Sequence, residues 1–212
     1  ALALDLSKEN LSTLVRAALN VDLDDGLWFG DVQVRELTEQ GEYGAYRFDC
    51  AFQVGEPDPK KLHKLSRIHI DIGFSDRLSS KPESQVMSSL LVHENPGTWK
   101  IYPIEDIIAE KLQTLFDRGS ANSRAKDVYD LIYLIPRAND HRKMMMAIKQ
   151  TFEKRGTTIP ESFMKQATAI DKTILSYGWP GVKILQNKPD FESAWKILIS
   201  QLEELDGKWS AL

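Results

Sequence analysis

Residues 101–136 most constrain the fold of this chain, because they predict two adjacent helices that carry charges inside their apolar faces. Pro103 suits a first helical position, and Gly119 suits the residue that ends a helix. At about 100° per residue, the apolar residues of the first helix share one face, and they are Ile104, Ile107, Ile108, Leu112 and Leu115. Lys111 falls in the middle of this stripe, where a core residue is expected.

The second helix has the same construction. Its apolar stripe consists of Val128, Leu131, Ile132 and Ile135. By angle, Arg124 lies within this stripe, Asp127 lies on its flank and Asp130 points away from it. A docked helix pair can therefore point Lys111, Arg124 and Asp127 into one cleft.

The charge at Lys111 has two interpretations that the pattern leaves open. A lysine held in a cleft suits a phosphate group, and an aspartate beside it can orient the lysine or a metal ion. Alternatively, the lysine stem lies along the core while its ammonium group reaches water.

A second candidate position lies in the predicted strand 66–74. Alternation places Ile68, Ile70 and Ile72 on one face, and His69, Asp71 and Gly73 on the other. A glycine two residues after a carboxylate lets a ligand approach the backbone, which makes Asp71 a candidate binding residue. The alternative is an edge strand with one wet face, and His69 is interpreted as a partly exposed strand histidine.

The region before this strand predicts a helix from Ser7 and an antiparallel strand pair at 31–38 and 43–54. Asp22 and Asp24 have the spacing of a metal-binding couple, but their position beside Asp25 and Gly26 favours an ordinary turn.

Composition excludes several classes of protein. The single cysteine excludes a disulfide framework and a cysteine-rich zinc site, and favours a reducing, cytoplasmic setting. The net charge of −4 does not indicate a general nucleic-acid binder. No apolar run has the length of a membrane span, and the common hydrolase, zincin, Rossmann and P-loop motifs are absent. We expect an α+β chain with an α/β region at 1–100 and a helical region at 101–212.

Three blocks in this order point to a family. IHIDIGFSD, YPIEDIIAEKL and RGSANSRAKDVYDLIYL resemble the nucleotidyltransferase-like AbiEii/AbiGii toxin family over about residues 7–136. The resemblance implies a polymerase-β-like fold, incomplete here, with a mixed sheet, flanking helices and a helical C-terminal region.

The resemblance also implies roles for individual residues. Asp71 matches a strand carboxylate that binds Mg²⁺, and Lys111 matches the lysine that holds the phosphates of a nucleoside triphosphate. Asp127 and Asp130 match the two aspartates of the following motif, and the helical angle favours Asp127 as the functional one. By this match Asp71, Lys111 and Asp127 are the catalytic candidates, whereas Asp130 belongs to the nucleotide-binding set.

The basic position of the same motif is occupied by Lys126, with Arg124 close to it. Both residues are candidate nucleotide-binding residues, and the assignment between them stays open.

The activity that the resemblance implies is transfer of a nucleotidyl group from a nucleoside triphosphate to a tRNA, another RNA or a protein. It also implies that the protein is the toxin of a toxin–antitoxin pair. Family members carry an upstream Gly-Gly-Ser/Thr turn and an Asp-x-Asp strand, which this sequence lacks. We therefore expect the chain as given to be truncated and inactive. Two alternatives are a non-catalytic remnant that binds a nucleotide or a partner, and a structural α+β domain whose central charges form a buried network.

Overall fold

A computed structural model describes residues 7–37, 45–73, 78–89, 95–183 and 187–209. The chain divides into two compact units, Ala1–Asp76 and Arg77–Leu212. The segment from 77 to 101 groups with the helices that follow it, and the functional boundary expected after residue 100 stays a prediction.

The described part of the first unit contains one α-helix, a short 3-10 helix at Pro59–Lys64 and a three-stranded antiparallel sheet in the order β1-β2-β3. The elements are α1 (Lys8–Leu19), β1 (Leu27–Glu36), β2 (Ala45–Val54) and β3 (Ser66–Gly73). Ser7 caps α1 by accepting a hydrogen bond from the Asn10 amide, as its position predicts. The predicted link at 39–42 lies outside the described residues.

The core of the first unit lies between α1 and one face of the sheet. Phe48 and Cys50 of β2 are fully buried, and Leu11 and Val15 of α1 belong to the same buried cluster. Strand alternation therefore places the charged side chains of β2 and β3 on the opposite face.

The second unit begins with a two-stranded antiparallel sheet and continues as helices. Its elements are β4 (Glu83–Met87), β5 (Gly97–Ile101), α2 (Ile104–Arg118), α3 (Ala125–Leu134), α4 (His141–Lys154), α5 (Phe163–Thr168), α6 (Thr173–Gly178) and α7 (Phe191–Trp209). The sequence did not predict β4 and β5, because every residue of β4 is exposed and apolar alternation is absent.

Every strand pair within the described ranges is antiparallel, whereas the resemblance implied a mixed sheet. Neighbouring strands joined by short segments pair antiparallel, since a parallel pair needs a crossover of a dozen or more residues. The α+β class is confirmed.

The helix pair predicted at 101–136 is present as α2 and α3. Ile108, Leu112 and Leu115 of α2 and Val128 and Leu131 of α3 are fully buried in one apolar cluster. Burial of both predicted stripes fixes which sides of the two helices meet. Among the described helices, none is long and apolar enough to cross a membrane.

Candidate functional site

The packing of α2 against α3 brings Lys111 to two carboxylates. Lys111 Nζ lies 2.9 Å from Asp127 Oδ1 and 2.7 Å from Asp130 Oδ2. The three side chains are 18%, 4% and 19% exposed, so the cluster is largely withdrawn from water. Lys111 is therefore a cation held between two anions rather than a stem whose ammonium group extends alone into solvent.

The position of Asp130 corrects one interpretation of the sequence. The helical angle directs Asp130 away from the apolar stripe of α3 and favoured Asp127 alone, yet the Asp130 carboxylate also contacts Lys111 directly. A helical projection shows where a Cα–Cβ bond points, whereas a long lysine side chain reaches partners beyond its own stripe.

Arg124 completes the cluster at the start of α3. Its Nε lies 2.8 Å from Asp127 Oδ2, and its side chain is half exposed. The contact is an ion pair and not a hydrogen bond. Asp127 Oδ2 is buried and receives no hydrogen bond from the described residues. One oxygen of Asp127 is thus engaged by Lys111, while the other retains capacity to accept a hydrogen bond.

The environment keeps Lys111 charged. Burial alone would lower the pKa of its ammonium group, but hydrogen bonds to Asp130 and Asp127 and the charges of both carboxylates outweigh burial. The pKa of Lys111 is therefore raised above its ordinary value. A lysine in this state stabilises negative charge and does not accept a proton near neutral pH.

An open cleft of about 440 Å³ adjoins this cluster. It is lined by Lys111, Ser123, Arg124, Ala125, Lys126, Asp127, Gly178, Gly181, Val182 and Lys183. Lys111, Arg124 and Asp127 thus meet at one cleft, as the docked helix pair predicted. Lys126 is exposed beside them, and the positive end of the α3 dipole faces the same space.

Residues 178–183 form a wall of the cleft that the sequence did not reveal. This turn consists of the last residue of α6, a 3-10 turn at Trp179–Gly181 and the two residues after it. Glycine, proline and tryptophan at 178–181 indicate only a turn, so the sequence pattern gave no sign of a cleft wall there. The turn lies close to α3: a Cβ added at Gly178 would lie 3.2 Å from both Ala125 Cβ and the Ser123 carbonyl oxygen. Glycine at this point permits the close approach.

Hydrogen bonds with Lys188 and Pro189 fix the backbone of the same turn. Lys188 Nζ donates to the carbonyl oxygens of Trp179 and Val182 at 2.8 and 2.9 Å. The Trp179 indole, which is nearly buried, donates to the Pro189 carbonyl oxygen at 3.0 Å. The turn is therefore a fixed part of the second unit.

Asp71 lies in the first unit, on the polar face of β3. Both of its carboxylate oxygens accept hydrogen bonds from Arg47 of β2, at 2.6 and 2.7 Å. These hydrogen bonds are the largest cause that holds the pKa of Asp71 below its ordinary value. Burial opposes them, and the charges of Arg47, His69 and Arg35 each lower the pKa by less.

The surroundings of Asp71 do not fit a magnesium site. Mg²⁺ needs several oxygen ligands in octahedral geometry, and both Asp71 oxygens are engaged by a guanidinium group. Within the described residues, no group of three or more His, Cys, Asp or Glu side chains could hold a metal ion. We assign no step to a metal here, and the metal role of Asp71 stays a prediction.

The structure also shows the surroundings of the Asp22–Asp24 couple and of His69. Asp22 Oδ1 accepts a hydrogen bond from the Asp24 amide, which is turn geometry rather than metal ligation. His69 is half exposed and pairs with Asp49 on the neighbouring strand, so it is a strand histidine with a carboxylate partner.

An α+β chain with a lysine helix and an aspartate helix around a basic cleft has the features of a nucleotidyltransferase-like protein. The family model of the nucleotidyl transferase AbiEii toxin, type IV toxin–antitoxin system, matches residues 2–210. The chain therefore belongs to this family, which confirms the resemblance and implies an antitoxin partner. No curated protein and no solved structure matches the chain significantly.

Proposed function

We propose that the cleft of the second unit binds a nucleoside triphosphate, and that the whole protein to which this chain belongs transfers the nucleotidyl group to a hydroxyl of an RNA acceptor such as tRNA. The observation that carries this proposal is the charged Lys111, held by Asp127 and Asp130 beside a cleft with four basic side chains and one acidic side chain. A polyphosphate of high negative charge suits this lining.

The proposed transfer forms one bond and breaks another. The acceptor oxygen bonds to the α-phosphorus, the bond between the α-phosphorus and the oxygen bridging to the β-phosphate breaks, and pyrophosphate leaves. Lys111 and Arg124 stabilise the phosphate charge. Asp127 Oδ2, which pairs with Arg124 but receives no hydrogen bond from the described residues, can accept one from the attacking hydroxyl and then receive its proton.

A second candidate is binding of a nucleotide or a partner without transfer. Arg47 engages both oxygens of Asp71, and the described residues show no metal-holding cluster, which favours this alternative. Nucleotide binding without labelling of any RNA or protein acceptor would support it.

The first prediction tests Lys111 by labelling. Full-length protein is incubated with each α-labelled nucleoside triphosphate and either total RNA or total protein. Lys111→Ala should lower labelling by about 100-fold, the magnitude typical of losing one electrostatic stabiliser of a transition state. Lys196→Ala, on the exposed face of α7, should label as the wild type does.

Folding has to be measured beside labelling. Removing Lys111 leaves Asp127 and Asp130 without their shared cation, and loss of one partner from a buried pair costs about 3 kcal/mol. The triple variant Lys111→Met, Asp127→Asn and Asp130→Asn removes all three charges and should recover stability but not labelling. Labelling at the wild-type rate by folded Lys111→Ala protein would overturn the proposal. Labelling of protein instead of RNA would show that the acceptor is a protein.

A further inference from the structure

The four basic side chains of the cleft fall into two groups, those paired with carboxylates and those without an acidic partner among the described residues. Lys111 is neutralised by two carboxylates, and Arg124 by Asp127. Lys126 and Lys183 line the same cleft, both are exposed, and neither has an acidic partner in the described part of the chain. The positive charge still available to a ligand therefore lies on these two lysines.

Lys183 and Lys126 belong to different structural elements. Lys126 stands in the first turn of α3, next to the aspartates that the family motif contains. Lys183 comes from the turn at 178–183, whose approach to α3 is set by Gly178 and whose backbone is held by Lys188. A lysine that directly follows a fixed turn has its Cα positioned before a ligand arrives, which lowers the entropy lost on binding.

We propose that Lys183 is a second phosphate-binding residue of the cleft, and that it binds the triphosphate of the nucleotide from the wall formed by residues 178–183. This inference rests on the proposed function for the identity of the ligand. Lys111, whose charge is balanced by Asp127 and Asp130, orients the phosphates. Lys183 adds a positive charge that no carboxylate of the described residues balances, and this charge attracts the triphosphate. The C-terminal helical part of the chain thus takes part in nucleotide recognition.

Equilibrium binding to the full chain tests this assignment with three probes: the four nucleoside triphosphates, inorganic tripolyphosphate and the corresponding nucleosides. Lys183→Ala should raise the Kd for a triphosphate and for tripolyphosphate about tenfold, the effect of losing one charge-assisted contact. Lys183→Glu should raise it further, and Lys183→Arg should restore it. Nucleoside binding should not change.

Lys196→Ala is the matched control, since Lys196 is an exposed lysine of the same unit that does not line the cleft. An unchanged Kd for triphosphate and tripolyphosphate in Lys183→Ala, with binding lost in folded Lys111→Ala, would overturn the role of Lys183 and leave the proposed function standing.

Failure of the proposed function gives different results. Wild-type protein that binds triphosphate through Lys183 but labels no acceptor would refute transfer and support the Lys183 assignment. Wild-type protein that binds neither a nucleoside triphosphate nor tripolyphosphate would refute both proposals.

Discussion

The side chain of Lys111 shows how one residue can combine structural and functional roles. It is buried deeply enough to need partners, and both partners come from α3. The sequence predicted the contact between Lys111 and Asp127, since both residues lie on or beside apolar stripes that must face each other. It did not predict Asp130, because a helical projection ignores the length of the lysine stem.

The polar face of the first unit leads to a prediction about pH. Because Arg47 lowers the pKa of Asp71, their pair adds stability above the ordinary aspartate pKa, and this stability is lost as pH falls through the lowered value. Asp71→Asn should therefore lower the free energy of unfolding at pH 7 by less than about 1 kcal/mol, since the side chains of Arg47 and Asp71 are 30% and 47% exposed and solvent screens the pair. Urea unfolding should show this difference shrinking as pH falls toward 3.

A loss above about 2 kcal/mol, or one independent of pH, would contradict this account of Asp71. Nucleotide labelling by the same variant provides a separate readout. A loss of labelling far beyond the small change in stability would show that Asp71 takes part in the transfer as well as in the pair with Arg47.

At the scale of elements, the sequence predicted those with a strong apolar period. The helix pair α2 and α3 and the strands β2 and β3 have clear stripes, and the structure contains all four. The strands β4 and β5 have mostly exposed residues and therefore lack the signal. The wall at 178–183 was missed for another reason: its contribution depends on a tertiary approach to α3, which no local pattern encodes.

That approach can be tested at Gly178. In Gly178→Ala the new methyl group would lie 3.2 Å from Ala125 Cβ and the Ser123 carbonyl oxygen, so the turn must move by a few tenths of an ångström. We expect a loss of about 1 kcal/mol in stability. We also expect severalfold weaker binding of triphosphate, with all cleft charges retained. Thermal unfolding and equilibrium binding measure the two effects.

Gly207→Ala is the control for this substitution, because a Cβ at Gly207 in α7 meets nothing within 4 Å. Alanine in a helix should raise stability by up to about 1 kcal/mol without changing binding. Wild-type binding by Gly178→Ala would show that the wall does not position a nucleotide contact.

At the scale of the whole chain, the two units have separate cores of very different size. The buried cluster of the first unit contains Leu11, Val15, Val32, Phe48 and Cys50. The cluster of the second unit draws on every helix from α2 to α7 and shares no residue with the first. Since a small core leaves little free energy above the entropy of ordering the chain, the first unit should be the less stable of the two.

Amide hydrogen exchange tests this difference. In the wild type, amides of β2 should exchange faster than those in the middle of α2, since opening the first unit needs less free energy. Phe48→Ala removes a fully buried ring, which costs about 3–5 kcal/mol, a large share of what so small a core supplies. Protection in β1, β2 and β3 should then fall steeply, while α2, α3 and α4 keep theirs. Equal loss of protection in α2 would mean that the two cores unfold as one, and that the lysine and aspartate cluster depends on the sheet for its stability.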